Sequence, residues 1–543
     1  MASAATTVYG AFRDTAERQP DTPFLHILPE TAGHYGIAAG TIAYGEALAA
    51  VERLAGEYRS AGYGHGHRVG LLLENRPAFF LHWLALNALG AGVVPINADL
   101  RAAELDYLID HSELCAAVTL PERRADLEAA AGRVGRTVAL FGPDDAVPAV
   151  PMPPPKAEQA VGEGSECALL YTSGTTGRPK GCVLSNTYFT RAGAWYNAIG
   201  GLCTLRPGVE RLITPLPMVH MNAMAYSTMA MIMSGGCIIP LDRFHPRSWW
   251  AGVRESGATI CHYLGVMPSM LMKAEPSPED RAHGLRFGFG AGIDGRLHAA
   301  FEERFGFPLL EAWAMTETGA GAVVIANHEP RKVGTACFGK PEPAVEIRLV
   351  DDDGRDVPDG QPGELLVRAA GPDPRAGFFV EYLKDAQATR EAWEGGYFHT
   401  GDLVLRDGDG HLHFVDRKKN VIRRSGENIA AVEVESVLRR HPLVREVAVA
   451  ATPDPVRGDE VLACVIPAEP LGDERLAEAA AAIVDYCLDQ LAYYKAPGYV
   501  AFVEAVPLTA TQKISRGELK TLARDLPQSP RCIDTRHLKK RRS

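Results

Sequence analysis

Between residues 70 and 262 the chain repeats one pattern: a short run apolar at nearly every position, then a longer stretch, then another such run. The runs are Gly70-Leu-Leu-Leu73, Gly92-Val-Val-Pro-Ile96, Ala116-Ala-Val-Thr-Leu120, Thr137-Val-Ala-Leu-Phe141, Gly236-Cys-Ile-Ile-Pro-Leu241 and Ala258-Thr-Ile-Cys-His262, with a helical stretch at 79–91 between the first two. A strand without polar alternation has no face to turn to water, so both of its faces must be covered. The pattern predicts an α/β fold of buried sheets layered with helices.

The chain has 543 residues, enough for three or four compact units at about 150 residues each. Its formal net charge of −11 argues against a general nucleic-acid binder and favours small-molecule partners. None of the ten cysteines forms a Cys-x-x-Cys pair, so a zinc or dithiol site is not expected. The first residues lack a basic segment followed by an apolar one, so no signal peptide is expected. Together these features point to a reducing cytoplasm. Residues 212–241 contain no Asp, Glu, Lys or Arg, but Pro215, Pro217, His220, Gly235, Gly236 and Pro240 interrupt them. They read as a buried helix and strand, not a membrane span, and no membrane partner is expected.

Five prolines between 148 and 155 mark an exposed connector. The domain reading is a large N-terminal domain over 1–417, a small α+β domain over 418–525, and a flexible basic tail over 526–543. In the small domain, Ala431, Val434, Val437 and Leu438 have helical spacing, as do Leu476, Ala479, Ala480, Ile483, Val484, Cys487, Leu488 and Leu491. Residues 444–451, 461–466 and 499–506 read as strands.

The segment richest in chemistry is Tyr171-Thr-Ser-Gly-Thr-Thr-Gly-Arg-Pro-Lys-Gly181, which follows a strand-like run. Glycines let backbone N–H groups approach an anion, hydroxyls add donors, and Lys180 adds positive charge. That composition suits a triphosphate. The spacing is not that of a Walker A loop, because Lys180 is followed by Gly181.

This string resembles the signature of the adenylate-forming superfamily, which includes acyl-CoA synthetases, nonribosomal adenylation domains and luciferases. The resemblance extends from about Val8 to Leu522. It takes in Trp313-Ala-Met-Thr-Glu-Thr318, Gly363-Glu-Leu365, Tyr397-Phe-His-Thr-Gly-Asp402, Asp416-Arg417, Gly426-Glu-Asn428, Tyr494-Lys-Ala-Pro497 and Lys513. The segment from Phe414 to Asn428 is most similar to carnitine/crotonobetaine-type carboxylate–CoA ligases. The resemblance implies a large N-terminal domain of layered α/β subdomains and a small mobile α+β C-terminal domain. It also implies an ATP- and Mg²⁺-dependent enzyme that joins a small or aryl acid to AMP and passes the acyl group to CoA.

By the same resemblance, Thr172, Ser173, Gly174, Thr175, Thr176, Gly177 and Lys180 would hold the β- and γ-phosphates. Glu317 would bind Mg²⁺, with Thr316 at the α-phosphate. Asp402 would accept from the ribose hydroxyls, an ionised carboxylate being able to take both, and Arg417 would brace the nucleotide. Adenine would lie between Gly290-Ala291-Gly292 and an aromatic face. The family usually carries Tyr-Gly there, and this chain has Trp313-Ala314, followed by Met315. Lys513 would bridge the carboxylate and α-phosphate oxygens, offsetting the repulsion between two anions. Lys419 would be the hinge, and Gly426 would line the tunnel for the CoA thiol. His220 occupies the gate position, and Met221, Tyr263, Val266, Met267, Gly290 and Met315 would line the acyl pocket. Each of these pocket residues also reads as an ordinary core residue. Two other activities share this signature: adenylation with another acceptor, such as a carrier protein, or nitrite activation for diazotisation of an aryl amine. A nucleotide-binding regulator with a decayed site is the non-enzymatic reading. A homodimer is compatible with any of them.

Overall fold

The computed structural model describes residues 5–151, 160–172, 179–417, 421–507 and 514–541, without the side chains of Asp416 and Arg417. The chain forms two compact units. One comprises Met1–Ala98, Ser112–Leu170 and Gly181–Asp416; the other comprises Asp99–His111, Tyr171–Lys180 and Arg417–Ser543.

The first unit contains an eight-stranded sheet in the order Val324–Ile325, Leu309–Trp313, Phe287–Ala291, Ile260–Leu264, Arg211–Thr214, Cys237–Pro240, Pro23–Ile27, Gly40–Ala43. All inner neighbours are parallel and only the two edge strands are antiparallel. This is the arrangement expected where strands such as Cys237–Pro240 are buried at every position. A seven-stranded sheet holds Arg68–Leu72, Gly92–Pro95, Ala116–Thr119 and Ala139–Phe141 in parallel, so the early apolar runs become its strands. The expected helix at 79–91 is Pro77–Ala88, which starts on proline and buries Phe79, Phe80 and Trp83. A third sheet, of five strands, is antiparallel between its established partners.

Residues 212–241 form a strand, a π-helix at Asn222–Ser227, an α-helix at Thr228–Ser234 and a further strand. No helix among the described residues is long and apolar enough to cross a membrane. Among those residues no two cysteines are bridged, and nine of the ten cysteines are buried.

In the second unit, Val444–Asp454 pairs with Gly458–Pro467, and the helix Leu476–Gln490 lays its apolar stripe against them. The strand expected over 499–506 stops at Phe502, close to where its partner strand ends at Pro467. The tail differs from expectation. Cys532–Asp534 adds an antiparallel strand to Tyr499–Phe502, and Lys539 is buried. Among its described basic residues Arg536, Lys540 and Arg541 are exposed, as a solvated tail would have them, and only Lys539 is drawn into the interior, where a buried acid receives it.

One buried carboxylate pins the N-terminal edge of the eight-stranded sheet. Glu210 accepts from Arg206 Nε (2.9 Å), Thr259 Oγ1 (2.5 Å) and Arg286. Burial alone would raise its pKa, but these hydrogen bonds hold it down to about 2. A depressed carboxyl stabilises the fold above its unfolded value and stops doing so as pH falls through the folded one. Chemical denaturation is therefore expected to show a loss of about 2 kcal/mol between pH 4.5 and pH 2 from this group, discounted for the exposed Arg206. Glu210→Gln should flatten that slope, and an unchanged slope would remove Glu210 from this role.

Candidate functional site

The site in the first unit is built at the carboxyl ends of adjacent parallel strands, the usual place for ligands in such sheets. Tyr263 pairs with Gly290, and Leu264 with Ala291. Gly290 is required by close approach, since a Cβ there would collide with the Tyr263 carbonyl. The following loop is held by Glu311, from the next strand. Its carboxylate accepts from Tyr263 OH (2.8 Å), Gly292 N (3.0 Å) and Ile293 N (3.2 Å). Burial raises the Glu311 pKa despite these donors.

Two residues beyond Glu311 is Trp313, itself buried. Its indole Nε1–H donates to Asp402 Oδ2 at 2.9 Å. The structure thus brings together the expected adenine-facing aromatic and the expected ribose acceptor. The indole orients the carboxylate through a hydrogen bond that phenylalanine has no donor to make.

The Thr316–Gly319 loop is clamped by tyrosines. Tyr188 OH donates to the Thr316 carbonyl (2.9 Å) and Tyr226 OH to the Gly319 carbonyl (3.0 Å). Thr318 Oγ1 caps the turn by accepting from Met315 N at 3.0 Å. Glu317 is buried and accepts from Tyr382 OH at 3.0 Å. Burial, and next the Glu317 charge, push the Tyr382 hydroxyl pKa up, so it stays a donor. A single buried carboxylate is a hard oxygen ligand of the kind Mg²⁺ shares with phosphate oxygens, so Glu317 fits that ion.

His220 and Met221 are half-buried and lead into the π-helix Asn222–Ser227. Single π turns occur often at functional sites. This one is tied from behind by His262, whose Nδ1 lies 2.6 Å from Asn222 Oδ1 and 2.9 Å from Ser227 Oγ. Tyr196 OH lies 3.1 Å from His262 Nε2. Burial lowers the His262 pKa to about 3, so the ring is neutral. Nδ1–H then donates to Asn222, and Nε2 accepts from Tyr196.

Other expected pocket residues separate by burial. Met267 is buried, whereas Val266 and Met315 are half-buried. Tyr263 is 1% exposed, with its hydroxyl on Glu311, so it braces the loop beneath Gly290.

In the second unit, Thr172 ends the strand Glu166–Thr172, and Lys180 starts Lys180–Ser185. Tyr107 OH donates to the Pro179 carbonyl (2.7 Å), and His111 Nδ1 lies 2.9 Å from Tyr171 OH. One helix, Ala102–Ser112, therefore ties both ends of the segment expected to hold phosphates. Gly426 sits in the hairpin turn between Val421–Arg424 and Glu427–Ala430. Its φ is +90°, and Ser425 before it is at +51°. Ser173, Gly174, Thr175, Thr176, Gly177, Lys419 and Lys513 lie outside the described residues, as does the Arg417 side chain.

Glu311, Tyr188, Tyr226, Tyr382, His262 and Tyr107 escaped the sequence reading. Five of them act through a hydroxyl or carboxylate far away in sequence. Only Glu311 carried a local hint, lying two residues before Trp313 in the same strand.

A family model described as AMP-binding enzyme matches residues 12–372, and one described as AMP-binding enzyme C-terminal domain matches 433–513. A sulfoacetate–CoA ligase of Cupriavidus necator is 32% identical over 524 residues, covering 93% of this chain and 95% of that protein. A crotonobetaine/carnitine–CoA ligase of Shigella flexneri is 30% identical over 492 residues, covering 87% and 91%. The solved structure of an amide bond synthetase from Marinactinospora thermotolerans is 25% identical with a TM-score of 0.78, covering 95% of this chain and 100% of that one.

Trp313→Phe keeps an aromatic face but leaves buried Asp402 without its indole donor, a loss worth about 1–3 kcal/mol. The expected outcome is a KM for ATP raised about tenfold or more, with the KM for the acid changed little. Steady-state kinetics check it, and an unchanged KM for ATP would disprove the orienting role.

Proposed function

This chain belongs to the AMP-binding enzyme family and is an AMP-forming carboxylate–CoA ligase, and we propose that its acid is short and polar and that the residues above share out the two steps. The observation that carries the role assignment is the Trp313–Asp402 hydrogen bond beside the clamped Thr316–Gly319 loop, a rigid nucleotide cradle. Two of the relatives support the substrate class, because sulfoacetate and crotonobetaine are both short acids carrying a second charged group, while a feruloyl-CoA synthase at 33% identity makes an aryl acid the alternative for the acid panel below.

In the first step a carboxylate oxygen attacks the α-phosphorus of ATP and pyrophosphate leaves. Repulsion between anions is the obstacle, so fixed positive charge and prepositioned donors do most of the work. Lys513 supplies that charge at the reacting oxygens. Lys180, Thr172 and the residues 173–177 hold the departing pyrophosphate. Thr316 contacts the α-phosphate, and Arg417 braces the nucleotide. Asp402 takes the ribose hydroxyls, and adenine lies against Trp313 and the Gly290–Gly292 loop. Glu317 would hold Mg²⁺, which neutralises phosphate charge. In the second step the CoA thiolate attacks the acyl carbon and AMP leaves, with Gly426 allowing the pantetheine to pass close to the backbone. Lys419 is the hinge between the two steps. His220 and Met221, just before the π-helix, face the acid.

The fold likeness to an amide bond synthetase favours one second reading, in which an amine takes the acyl group. An acid panel with ATP, measured for pyrophosphate release, then for thioester with CoA and amide with simple amines, separates the two. Thioester from a short polar acid is expected. Adenylate that yields amide but no thioester would overturn the CoA assignment. Lys513→Ala should lower pyrophosphate exchange by about 100-fold or more while circular dichroism stays unchanged. Full-rate exchange in that variant would refute its role.

A further inference from the structure

The tail beyond residue 513 lies outside the matched C-terminal family domain, yet it completes the interior of the second unit. Glu460 is 0% exposed, and both of its oxygens accept from Arg424 Nε at 2.9 Å. Val461 N donates to Oε1 as well (2.9 Å), and the third partner comes from the tail: Lys539 Nζ, itself buried, donates to Glu460 and lies 3.4 Å from the Tyr494 carbonyl. Thr535 adds two further bonds, from its N–H to the Gly498 carbonyl and from Oγ1 to the Pro497 carbonyl, both 2.9 Å.

Arg424 is the last residue of its strand before the Ser425–Gly426 turn. That turn needs two consecutive positive φ values, one of them on a non-glycine residue. A backbone held in this region costs about 1 kcal/mol or more per non-glycine residue and persists only where its surroundings determine it. Two contacts do so on the near side: Ser425 N donates to the Arg457 carbonyl (2.9 Å), and Arg423 N to Asp459 Oδ2 (3.0 Å). The Arg424 guanidinium, fixed on Glu460, is the third. Lys539 therefore bears on the turn through Glu460 and on Tyr494 directly, while Thr535 holds Pro497 and Gly498.

One anion faces two cations here. Burial and then the Arg424 charge lower the Lys539 pKa to about 7, while the Glu460 carboxyl is held below its ordinary value. Charged or neutral, the amine still has N–H bonds to give Glu460, so the contact persists through the neutral range.

We propose that the C-terminal tail is a latch in which Lys539 is a positioning residue for thioester formation, holding the Arg424–Gly426 turn in the shape the CoA thiol passes. This rests on the ligase reading and on the role given to Gly426. In full-length Lys539→Met enzyme, pyrophosphate exchange should stay within about twofold of wild type. Thioester formation should fall about tenfold, with KM for CoA raised, the size expected for removing one hydrogen bond to a buried carboxylate. Amide hydrogen exchange at Ser425 should quicken in the same variant. Thr535→Val, a milder lesion in the same latch, should give the same split at smaller size and serves if Lys539→Met does not fold. Equal loss of both half-reactions, or no change in either with unaltered exchange at Ser425, would overturn the proposal. Wild-type enzyme that makes adenylate but no thioester would overturn the ligase reading along with it.

Discussion

A buried carboxylate, Glu311, joins three pieces of chain that otherwise have no covalent reason to meet. It takes the hydroxyl of Tyr263 from one strand and the N–H groups of Gly292 and Ile293 from the loop after another. Buried polar groups must be paired, and a carboxylate that receives three donors fixes all three in place. The loop over Gly290 is therefore braced by protein groups alone. Trp313 follows two residues later on the same strand, so its position and that of Asp402 inherit the same rigidity.

The neighbouring loop is held by a different device. Tyr188 and Tyr226 reach it from outside with hydroxyls, and Tyr226 belongs to the π-helix that His262 ties through Asn222 and Ser227. The wide turn, the histidine and the Glu317 loop thus form one connected network. A network of this kind resists partial loosening, because losing one member leaves others buried without partners. The arrangement suits a reaction whose main demand is fixed geometry around converging negative charges.

The second unit solves a related problem with ion pairs. Lys495 is buried between Glu104 (2.5 Å) and Glu433 (2.8 Å), and Arg516 spans Glu435 at 2.6 and 2.9 Å. Such groups add little net stability over apolar replacements, but breaking one is costly. Removing one partner of such a group leaves a buried charge unpaired, and both the Glu435 and the Glu460 groups take a member from beyond residue 513.

Much of the architecture could be read directly. Apolar runs such as 92–96 and 116–120 became buried parallel strands, and the stripe from Leu476 to Leu488 became a helix face, because periodicity and burial are local properties of sequence. Motif residues such as Trp313, Glu317 and Asp402 were also legible, since the family string carries them. Their partners were not. Tyr382 for Glu317, and His262 for Asn222, lie tens of residues away and look like ordinary core aromatics until the sheets bring them together. The tail differs at one basic residue for the same reason: Lys539 reads as solvated unless the acid that receives it, Glu460, is in view. By itself the sequence determined which segments must be buried and which chemistry the chain carries. Only the tertiary structure decided which donors meet which carboxylates, because hydrogen bonding is set by angstrom-scale proximity and chain order holds no record of that.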